Sequence, residues 1–190
     1  MKKKNLIKLK LNQIFKKYKN LYKISPIIQK SCEICLGTIN NKKKIFFCGN
    51  GGSAADSQHL AAELVGKFLK KRIALPAIAL STNSSILTAI GNDLGFDQVF
   101  SRQIEALGNE GDTLVAITTS GKSKNILNAI KTAKKKKLNI ILITSNKSEF
   151  KSKKKLLVVK APATRVDRIQ EMHITIGHII CEYIENNFKK

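Results

Sequence analysis

The sequence predicts an α/β fold: a doubly wound parallel sheet of five strands with helices on both faces, preceded by an N-terminal helical pair. Two patterns carry that expectation. Five short β-rich runs recur with helical patterns between most of them, and the runs are continuously apolar, as strands buried on both faces of a parallel sheet must be. At 190 residues, 43% apolar and 25% charged, the chain also has the length and composition of one globular domain with a substantial core.

Taken in order, residues 5–23 place Leu6, Ile7, Leu9, Leu11, Ile14, Phe15 and Leu21 at helical spacing, and residues 26–40 repeat the pattern after Pro26. Strand runs follow at 44–48 (KIFFC), 76–80 (PAIAL), 112–118 (DTLVAIT), 139–144 (NIILIT) and 156–160 (LLVVK). Helical patterns occupy 53–69, 84–90, 97–107 and 122–136, and a long last helix covers roughly 165–187. There is no internal repeat and no Pro- or Gly-rich linker. The expected organisation is therefore one domain over 1–190, with helices in 1–40, a sheet core in 44–160 and a C-terminal helix in 165–188. Ligands bind an open parallel sheet at the carboxyl ends of its strands, which directs attention to the loops after 48, 80, 118 and 144.

A formal net charge of +22 raises nucleic acid or an anionic membrane as a partner. Only four of the 35 basic residues are arginine (Arg72, Arg102, Arg165, Arg168), whereas base and phosphate readers favour the arginine fork. Lysine runs beside abundant Asn and Ile read instead as coding bias on a solvated surface, so no specific nucleic-acid partner is expected. No apolar run approaches the ~20 residues of a membrane span. Lysines also interrupt the opening MKKKNLIKLKLNQIFKKYKN before an export signal's apolar core can form, and a cytoplasmic location is expected. Cys32 and Cys35 form a C-x-x-C without a second pair at zinc-finger spacing; inside an amphipathic helical pattern they read as buried thiols.

Two loops have the chemistry of an anion site. In GNGGS (49–53), glycines permit positive φ and close backbone approach, and Ser53 stands where it can cap the next helix. The loop lacks both the spacing of a dinucleotide fingerprint, since position 54 is Ala54, and the lysine of a P-loop. In TTSGKS (118–123), hydroxyls of Thr118, Thr119, Ser120 and Ser123 cluster where a helix begins, and helix N-terminal amides suit a phosphate. Two hydroxyl-rich turns on one edge of a sheet favour a sugar phosphate over a nucleotide. On the helix after GNGGS, His59 and Glu63 are spaced i, i+4 and share a face.

In these residues the chain resembles the sugar isomerase (SIS) domain family, and within it the phosphoheptose isomerases. The likeness runs nearly end to end, through CGNGGSAADSQHLAAELVGKF, PAIALS, LTAIGNDLGFDQVFSRQIEALGNEGD, TTSGKS and DRIQEMHITIGHIICEYIE. It implies a SIS-type, Rossmann-like sheet and an aldose–ketose isomerase acting on sedoheptulose 7-phosphate, at the first step toward the ADP-heptose of lipopolysaccharide cores. It implies a homotetramer with active sites where subunits meet and one Zn2+ per subunit. Carried over by position, Ser53, Thr118, Ser120 and Ser123 hold phosphate, with Thr119 beside them, and Asn50, Gly51, Gly52, Asn92, Asp93 and Gln170 line the sugar. His59, Glu63, Gln170 and His178 match the metal ligands, Glu63 and His178 the acid–base pair, and Asp167 is a further candidate to orient a sugar hydroxyl. His173 has no counterpart role and reads as structural. The alternative within the family is a non-catalytic regulator that binds the replication initiator DnaA, which lacks the glutamate and the last histidine; both are present here.

One difficulty follows from helix geometry. Eight residues span about 12 Å at ~1.5 Å per residue, and side chains lean toward the N-terminus, so Gln170 points away from His178 on one regular helix. Either the two reach a shared ion from different subunits, or the helix or metal site is irregular. The chain also departs from the family at Lys67, where an arginine is expected, and in SNKSEFKSKKK, a shorter and lysine-rich surface segment.

Overall fold

The computed structural model describes residues 3–189; Met1, Lys2 and Lys190, the ends of the span read as one domain, lie outside the described residues. Helix α1 (Lys3–Tyr18) leads through a 3₁₀ turn (Lys19–Ile24) into α2 (Ser25–Asn40). The single helix expected over 5–23 tightens after Tyr18, and the turn sets Leu21 and Ile24 against the core. Pro26 lies in the first turn of α2, where its missing N–H costs no helix bond.

Five strands follow: β1 (Ile45–Gly49), β2 (Ala77–Ala79), β3 (Thr113–Ile117), β4 (Asn139–Ser145) and β5 (Leu156–Ala161). They form one sheet in the order β2-β1-β3-β4-β5, every pair parallel. Register follows from burial. Phe47, Val115, Ile141 and Leu157 stand opposite one another and belong to one core layer, while the next row, Phe46, Leu114, Ile140 and Leu156, belongs to the other. A slip of one residue exchanges the two layers, so packing on both faces holds the pairing. At the amino ends of β1 and β3, the buried Asp112 carboxylate accepts the Lys44 amide at 3.0 Å and pairs with Lys44 Nζ at 2.9 Å.

The remaining helices are α3 (Gly52–Val65), α4 (Ser84–Asp93), α5 (Ser101–Leu107), α6 (Lys124–Lys135) and α7 (Val166–Asn187). Apolar stripes of α2, α3 and α7 cover one face of the sheet, and those of α5 and α6 the other. α3 ends at Val65, short of the expected 69, because Gly66 takes a non-helical conformation. The helix read over 97–107 breaks into a 3₁₀ turn (Phe96–Gln98) and α5. All four cysteines are free and buried; Cys32 and Cys35 belong to the core layer under α2, and burial pushes the Cys32 thiol up to about 11. Among the described residues no helix is long and apolar enough to cross a membrane.

This strand order places β1 and β3 side by side although β2 intervenes in the chain, so the connections leaving them diverge to opposite sides. Such a switch point opens a crevice at the carboxyl ends of the two strands. GNGGS and TTSGKS both lie there.

Candidate active site

The crevice has two ends, joined by α3 and α7. At the first, β1 runs into a turn in which Gly51 has φ +54°, and a Cβ on Gly49 would fall 2.4 Å from the Ser53 carbonyl oxygen. Glycine is needed at both. The turn starts α3 at Gly52, with Gly51 in the N-cap position and no side-chain cap. The expected capping role of Ser53 is therefore corrected: it lies inside the first turn, where its amide donates to the Asn50 carbonyl at 3.0 Å. Its buried side chain lines a recess of about 80 Å³ with Asn50, Ile117, Thr118, Thr119, Ser120, Ser123 and Gln170. At ~30 Å³ per water, that volume holds a few waters' worth of ligand.

The recess is built to receive acceptor oxygens. Ser123 occupies the N-cap position of α6 without a side-chain cap bond, so the positive end of that helix opens beside its hydroxyl. Thr118 Oγ1 accepts the Gly121 amide at 3.3 Å and Ser120 Oγ the Lys122 amide at 3.1 Å, which shapes the turn. Asn50 and Asn125 exchange two side-chain hydrogen bonds of 2.9 and 2.8 Å, tying the β1 loop to α6. Gln170 reaches the recess from α7: a Cβ on Gly52 would lie 2.4 Å from its Nε2.

Two turns further along, α3 and α7 meet again. Their contacts advance together along the chain, Gly52 with Gln170, Leu60 with Gly177, His59 with His178, so the helices run parallel and side by side. His59 Nε2 and His178 Nε2 are 2.9 Å apart, and His59 Nε2 lies 3.3 Å from Glu63 Oε1. The donor atoms of His59, Glu63 and His178 all lie within 4.8 Å of one another. Burial, reinforced by His59, holds the His178 imidazole below its usual pKa, partly offset by Glu63. Phe68 lies against its ring at 5.6 Å between centroids.

This trio fits a metal ion. At zinc bond lengths of about 2.0–2.1 Å, a tetrahedral shell sets donor atoms roughly 3.3 Å apart, and two imidazoles with one carboxylate leave a fourth position open. The two ring nitrogens already point at one another, an arrangement that wants either one shared proton or one cation.

The other expected residues fall elsewhere in the chain. Gln170 stands at the recess, about 12 Å along α7 from His178 at ~1.5 Å per residue. Asn92 and Asp93, at the exposed end of α4, hydrogen-bond to each other at 2.7 Å and do not line the recess. Asp167 is half-exposed and holds Arg165 at 2.7 Å and Arg168 at 3.1 Å. His173 is fully buried, its Nε2 is 3.1 Å from the Thr144 carbonyl, and desolvation brings its pKa down to about 4. Lys67 is exposed. Sequence reading missed Asn125, Arg72 and Glu185. For the first, the sequence offers only an asparagine at the start of an expected helix; the other two are ordinary charged residues until the fold pairs them.

Size alone does not mark the site. A cavity of about 390 Å³ lies near Lys30, Ile34, Asn139 and Leu156, at the amino ends of the strands, without convergent reactive groups.

A family model described as SIS domain matches residues 11–145. A phosphoheptose isomerase from a Nitratiruptor species is 53% identical over 156 residues, 82% of this chain and 83% of the relative. That of Campylobacter concisus is 44% identical over 186 residues, 98% of each. Among solved structures, the phosphoheptose isomerase from Neisseria gonorrhoeae superposes with a TM-score of 0.90 at 38% identity, covering 97% of this chain and 99% of that one. One from Francisella tularensis gives 0.92 at 32% identity, covering 98% and 100%. The Campylobacter relative and both solved structures, each covering 97% or more of this chain, extend past the family model through α7, the helix that carries Gln170 and His178, and with both halves of the crevice thus accounted for, the chain belongs to the SIS domain family and, within it, to the phosphoheptose isomerases.

Proposed function

We propose that this chain interconverts sedoheptulose 7-phosphate and D-glycero-D-manno-heptose 7-phosphate, with phosphate in the recess and the carbonyl end of the sugar at the histidine–glutamate trio. The observation that carries this reading is the convergence of His59, Glu63 and His178 about two turns along two parallel helices whose first turns abut the hydroxyl-lined recess. A ligand with an anion at one end and a reactive carbonyl at the other matches that layout.

The reaction moves a carbonyl by one carbon. A base takes a proton from C1, next to the C2 carbonyl, an enediol forms, and a proton returned to C2 leaves the carbonyl on C1. Glu63 and His178 are the two proton-transfer groups. His178, whose pKa burial and His59 lower, can exchange a proton with a sugar oxygen only while its Nε2 is free of an ion, so metal holding and proton transfer compete at this residue. Ser53, Thr118, Thr119, Ser120 and Ser123 hold the phosphate, Asn50, Gly51 and Gly52 the adjacent sugar, and Gln170 reaches the recess beside Gly52.

His59, Glu63 and His178 would hold one Zn2+ per subunit; Gln170, which stands at the recess of its own chain, would join them as the family's fourth ligand only from a neighbouring subunit. Such an ion, when bound, supplies Lewis-acid polarisation of the carbonyl. On this reading the chain acts as one SIS domain in a cytoplasmic homotetramer. Apolar side chains left exposed, including Ile7 and Phe15 on α1 and Leu94 and Phe96 after α4, supply surface for subunit contacts. Asn92, Asp93 and Asp167 then serve sites completed by a neighbouring subunit.

The test is incubation of the purified protein with sedoheptulose 7-phosphate, following the aldose, with metal content and sedimentation measured on the same sample. Glu63→Gln and His178→Gln should each lower kcat by about 10²–10⁴-fold, the range for losing a proton-transfer group. Absence of turnover by folded, zinc-loaded protein rejects the substrate; turnover that survives both changes rejects the residue roles.

A further inference from the structure

We propose that Arg72 and Glu185 form a buried clamp that positions Glu63 and His178 for proton transfer, rather than merely holding the fold together. The proposal rests on the roles assigned to those two residues above. The clamp sits just past the C-terminus of α3, where the last carbonyls of a helix lack intrahelical partners. Arg72 fills that place. Its Nη2 donates to the carbonyl of Glu63 itself at 2.6 Å, and its Nη1 to the carbonyls of Leu64 at 2.8 Å and Ile73 at 2.9 Å. The backbone of a catalytic candidate is thus held directly by a guanidinium.

Glu185 completes the device from α7. Its carboxylate accepts the amides of Phe68 at 3.1 Å, Leu69 at 2.8 Å and Lys70 at 2.9 Å, and pairs with Arg72 Nε at 3.1 Å. Four donors converge on one carboxylate, and both side chains are almost fully buried, 3% and 2% exposed. Glu185 lies seven residues beyond His178, two helical turns, so both occupy the same stripe of α7. Phe68, whose amide Glu185 holds, packs on the His178 ring.

The consequence is that one ion pair spans both helices of the trio. It fixes the Glu63 backbone from one side and the His178 ring, through Phe68, from the other. A surface helix pair could pack without it: Leu60, Ala61 and Leu64 already meet Ile176, Ile180 and Ile184 in the apolar layer. To those non-directional contacts the ion pair adds a directional restraint on the last turn of α3 against α7, where the Glu63 to His178 geometry is set.

The test compares Arg72→Lys, which keeps charge but loses the planar fork, with the double variant Arg72→Met/Glu185→Met, which replaces the pair by apolar volume and leaves no unpaired buried charge. Circular dichroism and thermal melts establish folding. Turnover of sedoheptulose 7-phosphate gives kcat and KM separately, and long-range imidazole 1H–15N spectra of His59 and His178 report their mutual contact without reference to turnover. The expected result is a folded double variant with kcat lowered at least 30-fold, KM within threefold of wild type, and altered His59 and His178 resonances; Arg72→Lys should not restore kcat. A folded double variant with unchanged kcat and unchanged imidazole resonances overturns the clamp. If wild type does not turn over the sugar, the substrate assignment fails on its own, and the imidazole spectra still decide the positioning.

Discussion

Replacing Gly177 by alanine separates catalytic geometry from stability. Gly177 lies in α7 against Leu60 of α3, one residue before His178. A Cβ there would fall 2.4 Å from Leu60 Cδ1, 2.6 Å from Cδ2 and 3.0 Å from Cγ, whereas ordinary contact begins at 3.4 Å. The shortfall is about 1 Å, and Leu60 is 0% exposed, so the added methyl must displace a fully buried side chain. Within a helix, alanine in place of glycine gains about 1 kcal/mol, while overpacking a core costs about 1–3 kcal/mol. The net destabilisation is about 0–2 kcal/mol, a melting shift of at most ~8 °C for a chain of this size. The rate is far more sensitive, because a 1 Å displacement of reacting groups costs about 10²-fold. Gly177→Ala should therefore melt near wild type, lose about 100-fold in kcat, and keep KM within threefold, since the phosphate recess lies two turns away. Adding Leu60→Ala removes the clashing atoms and should recover at least tenfold of the lost rate despite its own stability cost of about 2–5 kcal/mol. A folded Gly177→Ala enzyme with kcat within threefold of wild type, or a double variant that recovers nothing, refutes the reasoning.

Gly52→Ala should act on binding instead: its Cβ would meet Gln170 Nε2 at 2.4 Å, displacing that amide from the recess, and KM should rise roughly 10-fold or more, as for loss of a bond to a charged group worth about 1.5–3 kcal/mol. Asn125→Ala removes both bonds to Asn50 and should cost about 1–3 kcal/mol in urea denaturation with a raised KM; an unchanged KM means the Asn50 loop needs no such tie. His173 carries a pH dependence whose sign is set by its depressed pKa, about 4 folded against 6.5 unfolded. The stability it contributes is complete above the unfolded value and is lost as pH falls toward 4, about 3 kcal/mol in all, with about 2 kcal/mol gone by pH 5. Urea titrations at pH 7 and pH 5 should show His173→Asn losing less than wild type over that interval; equal losses contradict the assignment.

The extent to which the site is legible in the sequence varies residue by residue. His59 and Glu63 are visible as a pair because helical spacing alone sets them one turn apart. Ser53 is expected both as a cap and, by the family resemblance, as a phosphate residue; the cap position belongs instead to Gly51, two residues earlier, and Ser53 still lines the recess. Gln170 and His178 are expected to point apart, and the structure sets one at the recess and the other beside His59. The 3.6-residue period already contains that separation. Arg72 and Glu185 carry no sequence signal, because a lysine-rich chain offers many charges and only burial distinguishes this pair.

Local chemistry therefore determines the elements, the two anion-friendly turns and the His59–Glu63 face, since each depends on residues within a few positions of one another. The tertiary structure alone decides which loops share a crevice, that α3 and α7 run parallel, and that His178 completes the trio. Those outcomes join residues 75 to 119 positions apart, and no local propensity encodes them. They follow from the order of five parallel strands, whose two buried faces admit only one register and hence one arrangement of the helices above them.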